Sequence, residues 1–263
     1  MKNRQKISAL AGHKVVITRP REQAGALSSL LREHGAEPLL LPAFELQPIL
    51  IAPAVLHTVL AQPDLDWIIF TSANAVRFFA GALKNAAEHL PSGIRIAAIG
   101  QGTARAAEQA GLTPDFTGRS RNGQEFFAQL LRHAPGTRHV LYPASTAANR
   151  SNALAAEQAG VTVSWLELYQ PVPALSAPDI LMMIQEAPDL LTFFSPSAVQ
   201  FFLRASETAG VEKTLLPPSV SIGSTTTAAL REAGIIPVAE ALIPTVHHLV
   251  EALVSVVDPE KTY

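Results

Sequence analysis

A segment of this chain occurs twice. Residues 66–79 read DWIIFTSANAVRFF, and residues 189–202 read DLLTFFSPSAVQFF. Each is an apolar run, a hydroxyl-bearing turn and then Ala-Val-x-Phe-Phe. A second pair keeps the same spacing: AIGQGTARAAEQAG at 98–111 and SIGSTTTAALREAG at 221–234. Ser195 lies 123 residues after Ser72, Gly223 lies 123 after Gly100, and Gly234 lies 123 after Gly111. More loosely, EHGAEPLLLPAFE (33–45) resembles EQAGVTVSWLELYQ (157–170), each a helix end followed by an extended run. Motifs repeated in one register predict two similar domains, and 263 residues suffice for two of ordinary size.

Short apolar runs alternate with longer helical patterns. KVVITRP (14–20) reads as a buried strand ending in a turn, and REQAGALSSLLREHG (21–35) as a helix. Its apolar face is read as Ala26, Leu27, Leu30 and Leu31, with Gly35 as the C-terminal stop. EPLLLPAFEL (37–46) is extended again. The strands are continuous rather than alternating in polarity, which suits strands buried on both faces. Strand-helix alternation of this kind predicts an α/β fold with parallel sheets. The prolines at 42, 48, 171 and 173 suit an exposed linker or an edge strand.

Composition narrows the functions. Apolar residues make up 48% and charged residues 16%, enough apolar material for a packed core. A net charge of −2 argues against a nucleic-acid partner. The absence of cysteine excludes disulfides, thiolate nucleophiles and Cys-bound metals. ISALAG, near the N-terminus, is too short for a signal-peptide core, and no run of eighteen apolar residues occurs. The expectation is a soluble cytoplasmic protein with no membrane partner. Familiar catalytic signatures are missing. GQG at 100–102 lacks the third glycine of a dinucleotide fingerprint, and FSPSA at 194–198 is not a nucleophile elbow. The pair His247-His248 reads as helix surface.

The chemistry must then come from the corners. In open α/β sheets, ligands bind where strands end and helices begin, at free N–H groups that favour anions. The chain offers Thr18-Arg19-Pro20, Thr71-Ser72-Ala73-Asn74, Gly100-Gln101-Gly102-Thr103, Ser195-Pro196-Ser197 and Gly223-Ser224-Thr225-Thr226. Each corner alone is equally an ordinary helix cap, and Gly100 and Gly223 could simply permit tight turns. Repetition favours two lobes facing each other across a cleft that takes a ligand with several separated negative groups. Arg19 sits in a turn and suits carboxylate recognition; Arg77 and Arg105 read as solvated helix charges, and Arg21 and Arg150 lie near corners too. Tyr169, in WLELYQPVP, is a candidate weak general acid, and Tyr142, in LYPAS, a strand-end phenol; packing is the alternative for both.

Together these landmarks resemble the uroporphyrinogen-III synthase family. VVITRP, FTSANAV, AIGQGTA, the tyrosine in LELYQPV, FFSPSAV and IGSTTTAAL occur in the family's order, from residue 14 to about 253. The resemblance implies two flavodoxin-like or Rossmann-like domains joined by a two-stranded linker. The first would comprise 1–41 and 174–263, the inserted second 48–166, and the linker strands 42–47 and 167–173. It implies a reaction: ring closure of hydroxymethylbilane with inversion of the terminal ring and loss of water, without cofactor or metal. The partner would be a polycarboxylate tetrapyrrole; we expect a monomer, with a transient contact to the enzyme that forms hydroxymethylbilane. By the same match Tyr169 would hydrogen-bond or protonate the departing hydroxyl. Thr103, Thr226, Ser72, Ser195 and Ser197 would bind substrate, and Arg19, Thr71, Asn74, Gly100, Tyr142, Gly223 and Thr225 complete the expected binding set. The segment ASTAANR (144–150) departs from the glycine-rich look of relatives, and residues 1–11 match nothing and are expected to be a disordered extension. Two other readings stand beside the enzyme: a two-lobe binding protein for a small anionic metabolite, and a small glycosyltransferase with paired Rossmann domains.

Overall fold

The computed structural model describes residues 9–120 and 122–258. The chain forms two compact units, one running up to Glu45 and from Val172 onward, the other Leu46–Pro171. In the first it builds β1 (Lys14–Ile17), α1 (Arg21–Glu33) and β2 (Glu37–Leu40). It leaves along β3 (Phe44–Pro48). The second unit follows with α2 (Pro53–Leu60), β4 (Trp67–Phe70), α3 (Ala73–Ala86), β5 (Arg95–Ala98), α4 (Gln101–Gln109) and β6 (Phe116–Thr117). It continues with α5 (Gly123–His133), β7 (His139–Ser145) and α6 (Leu154–Gln158), and the chain exits along β8 (Thr162–Pro173). Back in the first unit come α7 (Ala177–Gln185), β9 (Leu190–Phe193), α8 (Pro196–Thr208), β10 (Ser219–Ser221), α9 (Ser224–Glu232), β11 (Ala239–Glu240) and α10 (Val246–Val257).

The repeat is visible element by element. β4 and β9, α4 and α9, β6 and β11, and α5 and α10 each begin 123 residues apart. β1 and β7, and β2 and β8, begin 125 apart. Among the described residues the first unit has a five-stranded sheet in the order β11-β10-β9-β1-β2. The second has the matching order β6-β5-β4-β7-β8, with β3 added at the edge beside β8. The pairings from β11 to β2 and from β6 to β8 are parallel. So each unit takes the opening βαβ of one sequence repeat and the remaining strands of the other. The α/β, parallel-sheet expectation holds, and the proline-bearing β3 is an edge strand as expected.

Why the strands read as continuous apolar runs is clear at β4, all four residues of which are buried. Ile68 and Phe70 point into one core with Val76, Phe79 and Leu141. Trp67 and Ile69 point into another with Phe126, Phe127, Val140 and Tyr142. Alternate side chains leave opposite faces of a strand, so a sheet covered on both sides needs apolar residues at every position. The helices end as the sequence suggests. Gly35 follows α1 at φ 81°, and Gly111 and Gly234 follow α4 and α9, both at φ 77°, a conformation that favours glycine.

Two readings are corrected. The buried face of α1 is Ala24, Leu27 and Leu31, while Ala26 is exposed and Leu30 only half-buried. Alanine carries too little apolar area to decide which way a helix turns, and the larger leucines at 27 and 31 select Ala24 as their neighbour across the turn. The expectation of a disordered extension through residue 11 does not hold for residues 9–11. Residues 1–8 lie outside the described residues, but Leu10 is fully buried among Val15, Leu27 and Leu31, and its N–H donates to the His34 carbonyl at 3.0 Å.

Candidate functional site

The second unit gathers four of the expected residues at the carboxyl end of its sheet. Where β4 stops, Thr71 and Ser72 form the turn into α3. Ser72 is the N-cap: its Oγ accepts from the Ala75 N–H at 3.0 Å. The Thr71 hydroxyl meets the Tyr142 hydroxyl at 2.9 Å, from the neighbouring strand β7. The Tyr169 hydroxyl, delivered by β8, lies 3.3 Å from Ser72 Oγ. Tyr169 stacks on Phe78, with ring centroids 4.5 Å apart and planes 13° from parallel, and the Arg77 guanidinium lies over the same Phe78 ring at 4.7 Å. Asn74 is half-buried in the first turn of α3.

Both phenols are in the core; Tyr142 is 1% exposed and Tyr169 6%. Burial pushes the Tyr169 phenol up from its ordinary value, the Ser72 bond and the Arg77 charge pull it down, and Tyr142 pushes it further up; the net shift is upward. Burial likewise raises Tyr142 against its bonds to Thr71 and Asn152. Both are therefore neutral at pH 7, and a neutral phenol has a proton to give.

One strand over, α4 begins at Gly100, and in the first unit α9 begins at Gly223; neither helix has a side-chain cap. Both glycines are extended, not in a tight turn, and an added Cβ would meet nothing within 4 Å at Gly100 and only Pro244 at 3.7 Å at Gly223. What glycine leaves there is a helix start with no capping side chain, and uncapped helix starts favour anions. Thr103 and Thr226 occupy the same position in these helices, and both side chains are buried, at 7% and 1% exposure. Thr225, next to Thr226, is exposed.

The other first-unit residues line the carboxyl ends of β1 and β9. Ser195 caps α8 as Ser72 caps α3, accepting from the Ala198 N–H at 3.2 Å, and Ser197 is half-buried in the first turn. Thr18 is buried and donates to the Thr192 carbonyl at 2.7 Å. Arg19 lies over the Phe194 ring at 4.4 Å and donates to the neutral Gln23 side chain at 3.1 Å; burial pulls its guanidinium downward. Arg21 and Arg105 are exposed. Arg150 is exposed as well, pairs with Glu167 at 3.0 Å and covers Trp165. His247 is exposed and His248 bonds Thr245 at 2.7 Å, both in the first turn of α10.

The sequence profile described as uroporphyrinogen-III synthase HemD matches residues 25–251. The chain belongs to the uroporphyrinogen-III synthase family. These are cyclising lyases of porphyrin biosynthesis. A porphyrin biosynthesis protein HemD of Ruminiclostridium josui is 31% identical over 134 residues, 50% of this chain but only 27% of that longer protein. The chloroplastic uroporphyrinogen-III synthase of rice is 27% identical over 84% of this chain and 73% of its own length. The fold matches a mutant uroporphyrinogen III synthase of Thermus thermophilus with a TM-score of 0.62, at 22% identity over 95% of this chain and all of that one. The Helicobacter pylori uroporphyrinogen-III synthetase matches at 0.60, with 19% identity over 93% and 99%.

Sequence reasoning missed Phe78 as the platform beneath Tyr169. The signal was there: the corners repeat two phenylalanines, of which Phe79 and Phe202 are core, leaving Phe78 and Phe201 to face something else.

Proposed function

We propose that this chain closes hydroxymethylbilane to uroporphyrinogen III, with Tyr169 as the general acid. The observation that carries the residue assignment is a buried, neutral phenol hydrogen-bonded to the serine that caps α3, at the carboxyl end of a parallel sheet. Tyr169 passes its proton to the departing hydroxyl, the C–O bond breaks, and water leaves with an azafulvene cation behind. The pyrrole at the other end attacks that cation through its substituted α-carbon, giving the spiro intermediate. The bond from that carbon to its original methylene bridge then breaks, leaving a second azafulvene cation. The ring's free α-carbon attacks this methylene, which joins the ring inverted and closes the macrocycle, and the proton that carbon loses returns to the phenolate. The substrate's own pyrroles supply the electrons, so the protein's share is positioning and one proton.

The bare starts of α4 and α9 and the capped turns at Ser72 and Ser195 bind substrate carboxylates, chiefly through backbone N–H groups. Thr103 and Thr226 sit in the first turns of α4 and α9, where their hydroxyls add to the substrate contacts. Arg19 adds the cationic contact. The same reading takes 42–47 and 167–173 as linker strands, supported by the chain's passage between its compact units at Glu45/Leu46 and Pro171/Val172. The family match favours the synthase over the two-lobe anion binder and the glycosyltransferase.

The test is a coupled assay in which hydroxymethylbilane is generated in place, the products are oxidised, and the type I and type III isomers are separated. Unaided closure gives isomer I. A shift to isomer III is expected; isomer I alone from folded protein sinks the reading.

A further inference from the structure

The serine that caps α3 has a second partner. Its Oγ accepts from the Ala75 N–H at 3.0 Å and lies 3.3 Å from the Tyr169 hydroxyl. A serine hydroxyl has two lone pairs and one hydrogen on a free rotor. The cap takes one lone pair. The second lone pair and the hydrogen both remain for Tyr169. A phenol is the more acidic partner, so at rest Tyr169 donates to Ser72. Once the phenol has passed its proton on, its oxygen is negative and can only accept. Rotation about the Ser72 Cβ–Oγ bond then turns the serine hydrogen onto that oxygen while the cap stays in place. The start of α3, with its partial positive charge, favours the same anion.

We propose that Ser72 is a positioning residue for Tyr169, a reversible hydrogen-bond partner that accepts from the resting phenol and donates to the phenolate during dehydration. The proposal rests on the reading of Tyr169 as the general acid. It moves Ser72 from direct substrate contact to support of the acid: the cap and the phenol between them engage its side-chain oxygen. The proton balance is unchanged, with one proton leaving Tyr169 with the departing water and one returning on ring closure.

The first unit provides the contrast. Ser195 makes the same cap. The position 125 residues before Tyr169, in step with β2 and β8, is Phe44, which packs on Phe201 with centroids 5.7 Å apart. Phe201 is in turn the counterpart of Phe78, 123 residues on. A capping serine and an aromatic pair are thus shared by the two corners, and at these corners the bond to a phenol belongs to the second unit. Arg77 and Tyr142 are the other charged or titratable groups acting on Tyr169.

Two variants separate the roles. Ser72→Thr keeps the cap and the hydroxyl; Ser72→Gly keeps a tolerated cap residue and removes the hydroxyl. The first readout is alkaline titration of tyrosinate absorbance, with Tyr169→Phe subtracted to isolate one phenol among the chain's three tyrosines. Ser72→Gly is expected to titrate higher than wild type and Ser72→Thr beside it. The second is isomer III formation. Ser72→Gly should lower kcat about 10- to 100-fold, the worth of a hydrogen bond to a charged group, with KM within about twofold, and Ser72→Thr should restore it. A raised KM at unchanged kcat would make Ser72 a substrate contact, and an unmoved phenol titration would remove the bond; either overturns the proposal. Absence of isomer III from the wild type overturns the synthase reading instead, and the titration, which needs no turnover, tells the two failures apart.

Discussion

Ser72 and Ser195 cap equivalent helices, accept from equivalent N–H groups at 3.0 and 3.2 Å, and follow strands that are buried throughout. Behind each lies a phenylalanine fully buried against a strand phenylalanine: Phe79 on Phe70 at 5.5 Å, Phe202 on Phe193 at 5.4 Å. In front lies a second aromatic pair, Tyr169 with Phe78 in one unit and Phe44 with Phe201 in the other. The two corners therefore share what folding requires and differ by one hydroxyl oxygen. Packing would be served by phenylalanine in both places. The burial of a phenol has to be offset by a hydrogen bond, and of the two corners the one in the second unit bears that requirement. The difference separates scaffold from chemistry within one chain.

If the scaffold is shared, damage to it should be shared. Phe79→Ala and Phe202→Ala each empty a fully buried site and should each cost about 3–5 kcal/mol in chemical unfolding. A large loss at one and a small loss at the other would show that the two corners are not packed alike. If the chemistry is not shared, Tyr169→Phe, which copies Phe44 into the second unit, should lower kcat about 100-fold or more and move the melting temperature little. The acid form is held by burial, so wild-type turnover should persist through neutral pH and fall only in alkali, as the phenol loses its proton. Unchanged turnover with a markedly lower melting temperature would make Tyr169 a packing residue.

Much of the scaffold was legible because packing against both sheet faces imposes a pattern. WIIF and LLTF, the glycines at 111 and 234, and the serines before α3 and α8 follow from periodicity and capping rules. The choice of face on α1 was not legible, since Ala24 and Ala26 look alike until the leucines pick a side. At the site, Ser72 and Tyr169 were each visible, but their contact was not. It depends on β8 bringing residue 169 beside a turn 97 residues earlier in the chain, and a pattern within a short window carries no such information. The repetition of Thr103 and Thr226 was plain from spacing alone, but their low exposure depends on the layer packed against each helix start.

Smaller contrasts test the capping itself. Ser195→Ala should cost about 1 kcal/mol, the ordinary loss of an N-cap. Ser72→Ala should cost that and also strand the Tyr169 hydroxyl, so its melting temperature should fall further.

The smallest effect lies at the helices before β4 and β9. α7 opens with a reciprocal box: the Ser176 N–H donates to the Asp179 carboxylate at 2.9 Å, and the Asp179 N–H donates back to Ser176 Oγ at 3.5 Å. Its counterpart α2 begins at Ala52 with no side-chain cap. The Ser176 side-chain bond, then its backbone bond, holds the Asp179 carboxyl below its ordinary value. A carboxyl depressed in the folded state stabilises fully above its unfolded pKa of about 4 and loses that contribution as pH falls through its folded value. Acid should therefore loosen α7 and leave the start of α2 indifferent. Glu186, bonded by Lys14, and Asp64, bonded by His139, are held low as well and add to the acid slope. Asp179→Asn isolates the box. It should leave the melting temperature at pH 7 close to wild type and flatten its decline below about pH 4, by a margin that is small because the box is exposed and screened. An Asp179→Asn protein whose decline below pH 4 overlays that of the wild type would show that the box adds nothing to the hold on α7, whose start would then behave like the uncapped start of α2.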